Sequence, residues 1–208
     1  MNSFYGVLGT DTCRFADKAI ANAITSFGGE ILRRGGNAVD AAIAVQVAIA
    51  VTNAIGTGIG GGGFMLIHDP VADEVVALDY RETAPGLATR DMYLDSLGKL
   101  TDQSRVGHLA VGVPGSVAGL VEAQRRFGNL TLSEVIEPAI RLAGDGFVLD
   151  RSRSRGLQGA ARRFRLFEGS RNVFLLPSGD APPPGTLFVQ SDLARTLQAI
   201  ADNGPSVF

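Results

Sequence analysis

Apolar positions recur at helical spacing from Ile20 to Arg34, and the run stops at Gly35-Gly36. Glycine can take the left-handed conformation that ends a helix, so a helix is predicted to close there. Asn37 then suits an N-cap, and Asp40, three residues on, favours the dipole of the helix that follows. Val39 to Ile55 is apolar on every side and rich in alanine. That pattern predicts a helix buried all round, with small side chains that admit close neighbours. Asp40, Gln46, Thr52 and Asn53 interrupt it, and it falls short of the roughly 20 apolar residues a membrane span needs. A core helix is predicted, not a membrane span.

A glycine cluster follows: Gly56, Gly58, then Gly60 to Gly63. Phe64 to His68 and Glu74 to Tyr80 read as two strands, with Asp69-Pro70 and Asp73 supplying turn chemistry between them. Val75 to Leu78 is continuously apolar, which predicts a strand covered on both faces. Pro85 disfavours helix at the residue before it. Val113-Pro114-Gly115 predicts a turn, and Ser116 to Phe127 a helix closed by Gly128. Thr131-Leu-Ser-Glu134 is a capping box opening a helix to about Ala143, which Pro138 should bend or deprive of a backbone hydrogen bond. Arg151 to Phe167 is arginine-rich, Pro177 to Gly185 is a loop, and Ser191-Asp192 opens a last helix ending near Asn203-Gly204-Pro205. No internal repeat is found.

Composition adds limits rather than identity. The chain has 208 residues, 45% hydrophobic and 19% charged, enough for one globular domain. A net charge of −2 gives no global bias toward nucleic acid or anionic membranes. Cys13 is the only cysteine, which forbids an intrachain disulfide. Met1 to Thr12 carries no basic run followed by an apolar stretch, so no signal peptide is visible.

Several candidate chemistries can be weighed. Gly58-Ile-Gly60-Gly-Gly-Gly63 matches G-x-G-x-x-G, with Asp79 about twenty residues on. A dinucleotide site needs a strand before the glycines and a helix after; here the order is reversed. No lysine follows, so it is not a P-loop, and a turn where backbones approach closely is the favoured reading. His68 and His108, with one cysteine, make a poor metal set, and no metal or cofactor is called for. Arg151, Arg153, Arg155, Arg162, Arg163 and Arg165 form a basic patch, read first as solvated surface, with a subunit contact or anion site as the sharper alternative. Arg81 follows the second strand between Asp79 and Glu82. It is either a structural ion pair or a carboxylate clamp, because guanidinium binds carboxylate through two parallel hydrogen bonds. No serine sits in a G-x-S-x-G elbow, and the chain starts Met1-Asn2, so no N-terminal nucleophile is present and no catalytic residue is assigned.

Five ordered blocks resemble the gamma-glutamyltransferase family. They are Glu30-Ile-Leu-Arg-Arg-Gly-Gly-Asn-Ala-Val-Asp40, Gly58-Ile-Gly-Gly-Gly-Gly-Phe-Met65, Leu78-Asp-Tyr-Arg-Glu-Thr-Ala-Pro85, Gly107-His-Leu-Ala-Val-Gly-Val-Pro-Gly115 and Glu137-Pro-Ala-Ile-Arg-Leu-Ala-Gly-Asp-Gly146. The likeness runs from about Phe27 to Phe208.

The resemblance implies an α/β (α+β) fold: the helix-rich large-subunit portion of an N-terminal nucleophile hydrolase αββα sandwich. Residues 1–208 are then one incomplete domain. In such a family one precursor cuts itself before a threonine, and that threonine attacks the γ-glutamyl amide of glutathione or a similar compound. Its own amine is the base, and the γ-glutamyl ester passes to water or an acceptor. By the same resemblance Arg81 binds the substrate's α-carboxylate. The nucleophile and oxyanion-stabilising glycines belong to a C-terminal small subunit of the same precursor, so this chain alone is expected to be inactive. Two alternatives stand beside this reading: a related acylase cleaving a glutaryl or cephalosporin-type side chain, and a non-catalytic binding or assembly partner.

Overall fold

The computed structural model describes residues 18–207, with side chains from residue 25 onward. Met1 to Thr12, where no signal peptide is visible, and Cys13 lie outside the described residues. The described residues of Met1–Gly58 together with Val121–Phe208 form one compact unit, and Ile59–Leu120 form a second.

In the larger unit, helix α1 (Lys18–Arg33) closes as the glycine pair predicts. Gly35 sits at φ 93°, and Gly36 and Gly35 donate their N–H groups to the carbonyls of Ile31 and Leu32 at 3.0 and 3.2 Å. This double bond pattern is the Schellman stop, and the positive φ is why glycine stands there. Asn37 caps helix α2 (Ala38–Thr52): its Oδ1 accepts from Val39 N and Asp40 N at 2.9 and 3.1 Å. Asp40 Oδ2 accepts in return from Asn37 N at 3.0 Å and from Asn129 N at 2.8 Å. Asp40 Oδ2 thus ties the start of α2 to the loop before α4, while Oδ1 of this fully buried carboxylate has no hydrogen-bond partner.

Helix α2 packs against α1 and α4 (Leu132–Asp145) and is buried from Val47 to Val51, but Ala42 is exposed and Val45 and Gln46 are half-buried, so the predicted burial on every side holds only toward its C-terminal end. Ile43 and Val51 are fully enclosed. Each such side chain contributes about 1.5–3 kcal/mol by leaving water. Helix α3 (Ser116–Phe127) precedes α4, whose capping box forms as expected, with Glu134 Oε2 accepting from Thr131 N at 2.9 Å. Pro138 lies inside α4 without ending it. Helix α7 (Ser191–Asn203) packs on α4.

The arginine-rich segment forms helix α5 (Arg151–Phe164), followed by α6 (Glu168–Phe174). A short antiparallel pair, β3 (Phe147–Val148) with β4 (Leu187–Phe188), joins them in a small apolar cluster. Leu149, Leu157 and Phe188 form its centre, and Phe164 stacks on Phe174 at 4.7 Å between ring centroids.

In the smaller unit, β1 (Phe64–Asp69) and β2 (Glu74–Asp79) form an antiparallel hairpin in register from Phe64↔Asp79 to Asp69↔Glu74. The turn is set by Asp69, whose Oδ1 accepts from Val71 N at 2.9 Å. One expectation fails here. Val75 is 66% exposed, and on β1 Phe64 and Leu66 are 67% and 75% exposed. Alternate residues of a strand face opposite ways, and Val75 and Ala77, which share one face of β2, are both exposed, so the continuous apolar run is not covered on both faces. Among the described residues no helix is long and apolar enough to cross a membrane.

Candidate functional site

The residue singled out in the sequence, Arg81, sits where the hairpin ends and the backbone becomes trapped. Tyr80 N donates to Gly63 O at 3.0 Å and Gly63 N to Tyr80 O at 3.3 Å, extending the ladder one pair beyond the strands. Thr83 and Val113 exchange backbone bonds of 3.2 and 2.9 Å. Gly115 N and Ser116 N both donate to Gly61 O at 2.9 Å. The segment from Tyr80 to Thr83 is therefore held at both ends.

Glycines wall it in. A Cβ on Gly62 would lie 2.4 Å from Tyr80 O and 2.8 Å from Arg81 Cα, and one on Gly115 would lie 2.1 Å from Tyr80 O. A Cβ on Gly119 would strike Tyr80 Cγ at 2.2 Å. The close backbone approach read from the glycine cluster is thus real at Gly62. Gly60 differs, with nothing near its Cβ position. The walls contributed by Gly115 and Gly119 were missed, although their four-residue spacing places both on one face at the start of α3. Enclosure also acts on Tyr80, whose phenol is pushed above its ordinary value by burial.

Arg81 emerges from this segment with its side chain 58% exposed. Asp79 does not pair with the guanidinium; its Oδ1 accepts from Arg81 N at 3.0 Å and fixes the backbone instead. Glu82 does pair: Arg81 Nη1 lies 3.1 Å from Glu82 Oε2, an ion-pair distance without hydrogen-bond alignment. Oε2 is enclosed and receives no hydrogen bond, an arrangement that costs about 1–3 kcal/mol. So the structural ion pair is present, yet it engages one corner of the guanidinium and leaves donors for a planar carboxylate.

The G-x-G-x-x-G segment follows helix α2 and precedes strand β1, the reverse of a dinucleotide site. His68 Nε2 lies 3.4 Å from Asp73 Oδ1 on the exposed hairpin, and His108 sits in a short 3-10 turn. Among the described residues no group of three His, Cys, Asp or Glu side chains is placed to hold a metal ion.

The basic patch is not uniform. Arg151, Arg155, Arg162 and Arg163 are exposed, as a solvated face should be. Arg165 Nε donates to Gly179 O at 2.9 Å. Arg153 departs from the solvated reading: its side chain is 19% exposed, and its Nε donates to Thr52 O at 2.7 Å. It also pairs with Asp150 and lies 5.6 Å over the Phe147 ring. With Gln190 Nε2, which donates to Val51 O at 2.8 Å, it satisfies carbonyls left open at the end of α2. Neither cap has a local sequence signal, since each partner lies a hundred residues or more away. Thr52, Ile55, Phe147, Arg153, Leu157 and Phe188 line a cavity of about 260 Å³ in this unit.

Comparison with known proteins gives this geometry a context. Residues 25–208 match the Gamma-glutamyltranspeptidase family. The glutathione hydrolase proenzyme of Escherichia coli is 42% identical over 186 residues, covering 88% of this chain and 32% of that protein. The acylase ACY 1 proenzyme of a Pseudomonas species is 43% identical over 186 residues, covering 86% of this chain and 33% of that protein. The crystal structure of Helicobacter pylori gamma-glutamyltranspeptidase superposes with a TM-score of 0.85 at 41% identity, covering 89% of this chain and 53% of that one. The chain therefore spans about a third of the length of these curated relatives. The helix-rich α/β portion of an N-terminal nucleophile hydrolase expected from the sequence is the fold observed. A family match reaching from residue 25 to the last residue, joined to a superposition over nine-tenths of the chain, leaves one assignment: the chain belongs to the gamma-glutamyltranspeptidase family.

Proposed function

We propose that this chain is the scaffold and carboxylate-binding portion of an enzyme that transfers or hydrolyses the γ-glutamyl group of glutathione and related γ-glutamyl amides. The observation that carries the proposal is Arg81, an exposed guanidinium on a backbone segment fixed at both ends, in a chain of this family. Its role is to grip the substrate's α-carboxylate and so hold the γ-amide for attack. The attacking threonine, with its own amine as base, belongs to the C-terminal small subunit of the same precursor, and the chain by itself is inactive. Both compact units are parts of one incomplete domain that the complementary portion completes. The partial coverage of the relatives, which are proenzymes, supports this division.

The test uses the processed enzyme assembled from this chain and its complementary C-terminal portion, with γ-glutamyl-p-nitroanilide as substrate. Loss of a charge-assisted pair is worth about 1.5–3 kcal/mol. Arg81→Ala should therefore raise KM roughly 10- to 150-fold. Unchanged kinetics would remove Arg81 from the site. A second reading, an acylase taking a glutaryl side chain, is favoured by the likeness to acylase ACY 1. Faster turnover of glutaryl than of γ-glutamyl anilide would select it.

A further inference from the structure

Glu82 has no bond that accounts for its enclosure. Its Oε2 is buried without a hydrogen-bond donor, and the ion pair it makes is with Arg81 Nη1 at 3.1 Å. Among the described residues the other such side-chain atom is Asp40 Oδ1, and each buried unsatisfied group calls for an explanation. The side chain as a whole is 30% exposed, but two glycines flank it closely. A Cβ on Gly112 would come within 3.2 Å of Glu82 Cβ, and one on Gly61 within 3.5 Å of Glu82 Oε1. Arg81, by contrast, is a long, mostly exposed side chain whose remaining guanidinium donors meet no partner among the described residues. Left alone it would sample many rotamers and lose that freedom on binding.

We propose that Glu82 is the positioning residue for Arg81: the carboxylate holds Nη1 and leaves the Nε–Nη2 edge free to donate two parallel hydrogen bonds to a carboxylate ligand. This rests on the reading of Arg81 as the substrate clamp. Glu82 touches no substrate itself; it acts by ordering the guanidinium before the ligand arrives. Removing its charge returns the ordering cost of one rotamer-rich side chain to the binding step, roughly a 3- to 10-fold rise in KM.

The experiment measures kcat and KM for γ-glutamyl-p-nitroanilide in the assembled, processed enzyme. The variants are Glu82→Gln, Glu82→Asp, Arg81→Ala and the Glu82→Gln, Arg81→Ala double variant. Glu82→Gln should raise KM roughly 3- to 10-fold with kcat within about twofold, and should add nothing once Arg81 is gone. Glu82→Asp keeps the charge but falls one methylene short, and should give an intermediate KM. If Glu82→Gln leaves KM unchanged or lowers it while Arg81→Ala raises it, positioning is overturned and the clamp survives. A loss confined to kcat overturns it equally. If Arg81→Ala leaves KM unchanged, the clamp itself fails and the inference with it. Should Glu82→Gln not assemble, a wild-type KM in Glu82→Asp decides against the proposal.

Discussion

Gly115 offers the sharpest test of how the Arg81 segment is held. A methyl group at this position would sit 2.1 Å from Tyr80 O, 2.8 Å from Tyr80 C and 3.2 Å from Arg81 O. Ordinary contact starts near 3.4 Å, and all three obstacles are backbone atoms, so no rotamer change relieves the clash. The carbonyl must retreat by more than about 1 Å, which disturbs the Gly63–Tyr80 pair and the Gly115–Gly61 bond together. Overpacking of this kind costs about 1–3 kcal/mol. At roughly 2–4 °C per kcal/mol for a chain of this size, Gly115→Ala should lower Tm by about 2–12 °C. Gly60→Ala is the matched control, with no neighbour near its Cβ position, and should stay within about 1 °C. Thermal unfolding of the 208-residue chain, followed by circular dichroism, separates the two. A Gly115→Ala variant with wild-type Tm, or a Gly60→Ala variant falling as far, would refute the claim that glycine is required because backbones meet there.

Two further outcomes follow from the same geometry. Arg153→Met keeps the apolar stem but removes the donor to Thr52 O, so it should destabilise by about 1.5–3 kcal/mol, whereas exposed Arg155→Met should stay within about 0.5 kcal/mol; urea midpoints at constant slope measure both. Burial raises the Tyr80 phenol, and a group whose folded value lies above its unfolded value contributes stability that is whole below about pH 10 and is lost as pH climbs through the folded value. Tyr80→Phe should therefore remove the latest-titrating component of the alkaline absorbance change at 295 nm; if that component persists, Tyr80 is not the shifted phenol.

What the sequence discloses tracks how local the physics is. The Gly35-Gly36 stop, the Asn37 cap and the Thr131 box all form, because each is decided within five residues. The core helix α2 was legible in part: its apolar run states that it is buried, but not that Ala42 near its start is left exposed. The β2 run misled because apolar residues on both faces state what a strand would prefer to bury, not which neighbour supplies the cover. Arg153 was hidden inside a patch of like residues, and what distinguishes it is Thr52, a hundred positions earlier. For the site, the sequence names Arg81 and the glycines but cannot show that Gly115 and Gly119 close over Tyr80.

The closure over Tyr80 determines how the proposed Arg81 clamp is held. An arginine delivers its charge at the end of a flexible stem, so precision at the guanidinium has to come from two separate sources. One is the backbone, which here is fixed by main-chain hydrogen bonds on both sides of Arg81 and by walls that have no side chains to give way. The other is the head group, where Glu82 is the partner present. The two sources fail differently. A methyl on Gly115 displaces the stem's anchor, so stability and binding should fall together. A neutral Glu82 leaves the anchor in place, so KM should rise without a loss of stability. Arg153, in the other unit, should change stability alone. If these three lesions produced one common profile, the separation of anchor from head group would be wrong, and Arg81 would have to be understood as part of a single collapsing surface.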